Sequence, residues 1–191
     1  MLSGLSHVEQ VRRLVAGGAT LIQLRDKTAT SGEFYESCAD AVRLGRENGV
    51  TMIINDRVDI ALACEANGVH LGQDDLPPQD ARRLLGPRAI IGYSTHSIEQ
   101  AIAAVKLPVD YIAIGPVFST TTKSDPDPVV GVSGLRAVRS AAGAFPLVAI
   151  GGITRATVGE VFSAGADSAA MISDLITDAE QIADRLHELL H

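Results

Sequence analysis

Apolar residues recur along this chain in two alternating rhythms. Short aliphatic, β-branched runs are separated by longer stretches that place an apolar residue every third or fourth position. Residues 7–16 space Val8, Val11 and Leu14/Val15 at helical intervals. Phe34, Cys38, Ala41/Val42 and Gly45 do the same in a second helix that runs through Asn48, with Thr30 or Ser31 as its N-cap. Further helices are predicted over 58–65, 79–85, 97–105, 132–142, a Thr154-capped segment to 164, and 178–190. The short runs predict strands at 20–24, 50–54, 69–71, 89–93, 111–115, 147–150 and 168–172.

Seven strands and eight helices in strict alternation argue a parallel sheet with helices packed outside it. The strands are apolar on both faces, as parallel strands covered on both sides should be. A closed TIM (β/α)₈ barrel is the best fit and an open doubly wound sheet the second choice. No G-x-G-x-x-G follows an early strand, which weighs against a dinucleotide-binding version. No linker or low-complexity run interrupts residues 1–191, so a single domain is expected.

Polar residues of unusual type gather at the C-terminal ends of the strands: Gln23/Arg25/Lys27, Asn55/Asp56, Gln73/Asp75, Ser94, Thr120/Thr122/Lys123, Gly151/Gly152 and Ser173. The strand starts are read as carrying no comparable set. In a barrel the strand C-termini converge on one mouth, where active sites of that fold lie. Each group has a plainer reading alone. Asp56 and Asp75 would serve as helix caps, Arg25 and Lys27 as a solvated turn, and Gly151-Gly152 as a tight turn; His70 reads as structural, and His96 is given no role. That all of them share one end of their strands by accident is the weaker account.

The stretch Tyr111–Lys123 is the most telling, because three threonines and an ammonium follow a buried strand and a Gly-Pro break. Hydroxyls and lysine suit phosphate oxygens. Arg25, Lys27 and Lys123 supply cations, whereas Asp56 and Asp75 would repel phosphate unless a metal lay between. That mixture suits a diphosphate held through Mg²⁺. The net charge of −7 argues against nucleic acid or an anionic membrane as partner. No long apolar run is found and no membrane span or secretory signal is expected, and the two cysteines, Cys38 and Cys64, read as packing residues in a cytoplasmic protein.

Gln-Leu-Arg-Asp-Lys (23–27), Asn55-Asp56, Gly-Val-His-Leu-Gly-Gln-Asp-Asp (68–75), Gly-Tyr-Ser-Thr-His (92–96), Gly-Pro-Val-Phe-Ser-Thr-Thr-Thr-Lys (115–123) and Ile-Gly-Gly-Ile (150–153) together resemble thiamine-phosphate synthase, in family order and over nearly the whole chain. The resemblance implies a TIM barrel that joins a hydroxymethylpyrimidine diphosphate to a (carboxy)thiazole phosphate. Thiamine phosphate and diphosphate are the products, formed after dissociative loss of diphosphate. It implies that Gln23, Leu24, Arg25, Asp26, Lys27, Asn55, Ser94 and Lys123 hold the pyrimidine substrate. Arg25, Lys123 and Ser94 are the implied catalytic groups. Thr120, Thr121, Thr122, Gly151, Ile172 and Ser173 would hold the thiazole phosphate, and Asp56 and Asp75 would hold Mg²⁺. The implied partners are these small phosphorylated molecules, with a homo-oligomer left open.

Two departures from the family pattern stand out. The usual first strand, of the type L-Y-L-(V/I)-T-D, is not found in residues 1–6; either it lies upstream or the barrel has seven strands and an open seam. Tyr93 stands where a smaller residue is common and is expected to narrow the pyrimidine pocket. A thiazole tautomerase of the same superfamily is the nearest rival, disfavoured by Pro116 after Gly115. A non-catalytic phosphate-binding barrel is another, and a Schiff-base aldolase using Lys123 a third.

Overall fold

The computed structural model describes residues 4–120 and 127–190. The chain divides into two compact units. One comprises Met1–His70, Asp80–Ile90 and Leu175–His191, the other Leu71–Gln79 and Ile91–Asp174.

In the first unit, helix α1 (His7–Ala16) starts at Ser6, whose hydroxyl accepts the Glu9 N–H. Strand β1 (Leu21–Leu24) leads to helix α2 (Ser31–Glu47), then β2 (Thr51–Asn55), α3 (Val58–Ala63), β3 (Gly68–Leu71) and α4 (Pro78–Leu85). Thr30 and Glu33 form a reciprocal capping box at the start of α2, which satisfies two backbone donors at once. β1 and β2 pair in parallel with Leu24 opposite Ile54, and β2 and β3 with Asn55 opposite His70. Met52, Ile53 and Ile54 are all fully buried, so consecutive residues of β2 face packed surroundings on both sides of the strand. The last helix of the chain packs on α1. A Cβ on Gly17 would lie 2.7 Å from the Ala183 carbonyl oxygen, so glycine permits that close approach.

In the second unit, β4 (Ile90–Thr95), α5 (Ile98–Ala104), β5 (Tyr111–Ile114), α6 (Gly131–Ala142), β6 (Leu147–Ile150), α7 (Val158–Ser163) and β7 (Ser168–Ala170) follow in order, and α8 (Ser173–Ile176) begins where the unit ends. β4, β5, β6 and β7 pair in sequence, all parallel, with Ser94 opposite Ala113 and Ile150 opposite Ala170. Ile91, Ile112, Ile114, Leu135, Val138, Leu147 and Val161 are fully buried between strands and helices. Among the described residues seven strands, parallel within each unit, alternate with helices, which makes this an α/β fold. Among the described residues no strand precedes α1. No helix of the described residues is long and apolar enough to cross a membrane.

The strand starts do carry polar residues, contrary to the sequence reading, and they recur with one geometry. Asn67, just before β3, donates its N–H to the Met52 carbonyl at 2.9 Å while its Oδ1 accepts the Met52 N–H at 2.8 Å. Asp110, just before β5, does the same with Ile91, both bonds being 2.7 Å. Asp167, just before β7, repeats it with Leu147 at 2.9 and 2.8 Å. Each side chain accepts a backbone N–H at the foot of the preceding strand and so fixes the register of a strand pair. Arg139 reinforces the third of these, holding the Asp167 carboxylate together with the carbonyls of Gly143, Phe145 and Gly165.

Several boundaries differ from those expected. Thr154 does not cap α7. It engages Thr157 in a turn, and the helix begins only at Val158. The last strand stops at Ala170, and the short α8 takes up residues assigned to no helix. The terminal helix is α9 (Ile182–Leu190), preceded by a 3₁₀ turn over Ala179–Gln181 in which Asp178 caps the Glu180 N–H.

Candidate active site

In the first unit the polar strand ends assemble around β1 and β2. Exposure alternates along β1, so Gln23 and Arg25 are exposed while Ile22 and Leu24 are buried. Leu24 is only 3% exposed, so its side chain serves packing and only its backbone is left to meet a ligand. Asp26 is committed locally: its Oδ1 accepts the Thr28 N–H and hydroxyl at 2.8 Å and the Ala29 N–H at 3.0 Å. Those bonds, led by the Thr28 N–H, hold its carboxyl below the usual carboxylate range.

Lys27 reaches from the end of β1 to the end of β2, where its ammonium pairs with the Asp56 carboxylate. Asp56 does not cap α3. Arg57 occupies the cap position and makes no side-chain cap bond. Asp56 stands at φ 62°, a left-handed conformation that costs a non-glycine residue on the order of 1 kcal/mol or more. Its N–H donates to the His70 carbonyl at 2.8 Å, which pins the strained residue to β3. Asn55 is buried directly before it. The His70 imidazole is buried and therefore neutral: burial pushes its pKa down to about 4, only partly opposed by Asp56. This agrees with a structural role.

The second unit carries the remaining strand ends. The Asp75 carboxylate folds back on its own loop and accepts the Gly72 N–H at 2.6 Å. Gln73 donates from the same loop to the Ser94 carbonyl at the end of β4, at 2.5 Å. Tyr93 is half-buried beside this loop; burial, then the charges of Asp74 and Asp75, push its phenol up. His96 Nδ1 lies 2.7 Å from the Gly115 carbonyl oxygen and 3.5 Å from Asp127 Oδ2. A carbonyl can only accept, so Nδ1 carries the proton.

After β5 the chain hugs the end of β6. Val117 and Phe118 donate their N–H groups to the carbonyls of Ile150 and Gly151, both at 2.9 Å. Gly151 and Gly152 both have positive φ, 96° and 64°. A Cβ at Gly151 would meet Pro116 at 2.5 Å, and one at Gly152 the Ser119 carbonyl oxygen at 2.4 Å. Only glycine therefore allows the segment leading to Thr120 to lie against this turn. Ile172 is partly exposed and Ser173 exposed at the start of α8. Thr121, Thr122 and Lys123 lie outside the described residues.

The structure thus groups Gln23, Arg25, Lys27, Asn55 and Asp56 in one unit, and Asp75, Ser94, Thr120, Gly151, Ile172 and Ser173 in the other. Among the described residues no cluster of three or more His, Cys, Asp or Glu side chains forms a protein-only metal cage. Sequence reasoning missed the ion pair of Arg155 with Asp174 beside the Gly151-Gly152 turn. The signal was available only as two charged residues close behind Gly152 and Ser173.

A sequence model described as thiamine monophosphate synthase matches residues 2–175. A thiamine-phosphate synthase of Koribacter versatilis is 48% identical over 190 residues, covering 100% of this chain and 88% of the relative. Another from Chloroflexus aurantiacus is 42% identical over 189 residues, covering 98% and 87%. Among solved structures, a thiamine phosphate pyrophosphorylase from Pyrococcus furiosus superposes with a TM-score of 0.86 at 39% identity, covering 96% of this chain and 87% of that one.

Proposed function

The chain belongs to the thiamine monophosphate synthase family, and from that premise we propose how its residues divide the work. It is a transferase, and its activity is thiamine-phosphate synthesis. The substrates are small phosphorylated molecules. In the finer reading they are hydroxymethylpyrimidine diphosphate and a thiazole phosphate. The bond from the pyrimidine methylene to the diphosphate oxygen breaks, and its electron pair leaves with diphosphate. The thiazole nitrogen lone pair then forms the new C–N bond. The family match runs through both units, which supports reading residues 1–191 as one functional domain.

Arg25 and Lys123 would stabilise charge as it builds on the departing diphosphate, which is electrostatic rather than nucleophilic catalysis. Gln23, Lys27 and Asn55, with the backbone of Leu24 and Asp26, would orient the pyrimidine substrate, and Ser94 would contact it from β4. Thr120, Thr121, Thr122 and the backbone of Gly151, Ile172 and Ser173 would hold the thiazole phosphate. The glycine turn at 151–152 supports this, since its backbone approaches neighbouring chain more closely than any Cβ would permit.

Asp56 and Asp75 fit Mg²⁺ by donor chemistry. Both offer carboxylate oxygens, and Asp56 already holds a cation, the Lys27 ammonium. The chemistry a bound Mg²⁺ supplies is neutralisation of the leaving diphosphate. Two protein carboxylates suffice, because Mg²⁺ keeps waters and takes phosphate oxygens as further ligands.

The observation that carries the reading is the family match over residues 2–175, which embraces every strand-end residue named above. Mixing both substrates with Mg²⁺ and the protein tests it, with thiamine phosphate and diphosphate appearing in equal amounts. Absence of both products from folded protein would overturn it.

A further inference from the structure

The ion pair of Arg155 with Asp174 has no part in the roles above. Arg155 follows the Gly151-Gly152 turn by three residues, and Asp174 directly follows Ser173. The Arg155 backbone N–H reaches Asp174 Oδ2 at 3.1 Å, and its Nε reaches the same oxygen at 2.9 Å. One residue thus places two donors on one carboxylate oxygen and ties the loop after β6 to the start of α8, within a single unit. The side chains are 37% and 24% exposed, so solvent only partly screens their charges.

We infer that Arg155 is a positioning residue for the thiazole phosphate that acts through Asp174: it holds that carboxylate in an ion pair and so offsets a negative charge beside Ser173. The inference rests on the phosphate site proposed above. An acidic residue beside Ser173 opposes a phosphate anion bound there, because like charges at short range cost affinity. A helix dipole offers little reason for that acid, since α8 has only 4 residues. With Arg155 beside it the carboxylate's charge is offset; with Arg155 removed, more of that charge faces the phosphate.

The test is Arg155→Met, which keeps length and removes charge, measured beside Arg155→Met/Asp174→Asn and Thr120→Val. Arg155→Met should raise KM for the thiazole phosphate roughly tenfold, with KM for the pyrimidine diphosphate little changed. The double variant should return the thiazole KM to within about threefold of the parent, because the repelling carboxylate is gone. A tie that acted only by holding the loops would leave the double variant as poor as the single one, and that result overturns the inference. So does an unchanged thiazole KM in Arg155→Met while Thr120→Val raises it. If Thr120→Val also leaves that KM unmoved, the phosphate site itself is misassigned and the inference falls with it.

Discussion

Lys27 and Asp56, 29 residues apart in sequence, form an ion pair between the ends of neighbouring strands. The β1–β2 register brings this about, since Leu24 lies opposite Ile54 and the two strands end almost level. The carboxylate we propose for Mg²⁺ therefore already faces a cation, and the lysine is more than half exposed and has room to move aside.

Asp56→Asn keeps the shape and removes the charge. It should lower kcat by about 10²-fold or more if the carboxylate helps neutralise the leaving diphosphate. Steady-state rates over a range of Mg²⁺ concentrations measure this. Turnover equal to the parent at every concentration would dismiss Asp56 as a ligand.

Asp56→Gly separates chemistry from folding. Relief of the left-handed backbone should offset the lost ion pair, with unfolding free energy equal to the parent's or higher by up to about 1 kcal/mol, while turnover collapses. Urea denaturation gives the stability. A loss of more than about 2 kcal/mol would show that φ 62° is not a strained state here.

His70 should make stability depend on pH. Its pKa is about 6.5 unfolded and about 4 folded, so the unfolded chain binds the extra proton between those values. The contribution is fully present above about pH 6.5 and is lost as pH falls toward 4, by up to roughly 3 kcal/mol. His70→Gln should flatten the change in unfolding free energy between pH 7 and pH 5. Parallel curves for parent and variant would contradict the burial argument.

Asp110→Ala should cost about 1–3 kcal/mol, because the N–H of the fully buried Ile91 loses its acceptor. Asp110→Asn retains an oxygen and should recover most of that loss. Thermal melts of the two variants decide it, and equal melting temperatures would rule the acceptor role out.

The alternation of strands and helices was legible because apolar periodicity changes sharply from one kind of element to the next. The polar strand ends were legible for a related reason: nothing about packing explains Lys27 or Asp56 where they stand. The register-setting bonds of Asn67, Asp110 and Asp167 escaped notice because each looks like an ordinary turn residue. Their bonds run to residues 15 to 20 positions earlier, which local pattern does not reveal. Asp26 and Leu24 were read into the site by motif alone. The structure gives the side chain of the first to its own turn and of the second to the core. The start of α7 was misplaced because Thr154 is a good cap by type, yet it spends its hydrogen bonds on Thr157.

The clips at Asn67, Asp110 and Asp167 couple the strands two by two, β2 with β3, β4 with β5 and β6 with β7. Chimaeras built by swapping segments with homologous enzymes should accordingly inherit a hidden grammar. Crossovers that respect the couplets keep each clip with its own partner, whereas crossovers inside a couplet join halves that were never selected to fit.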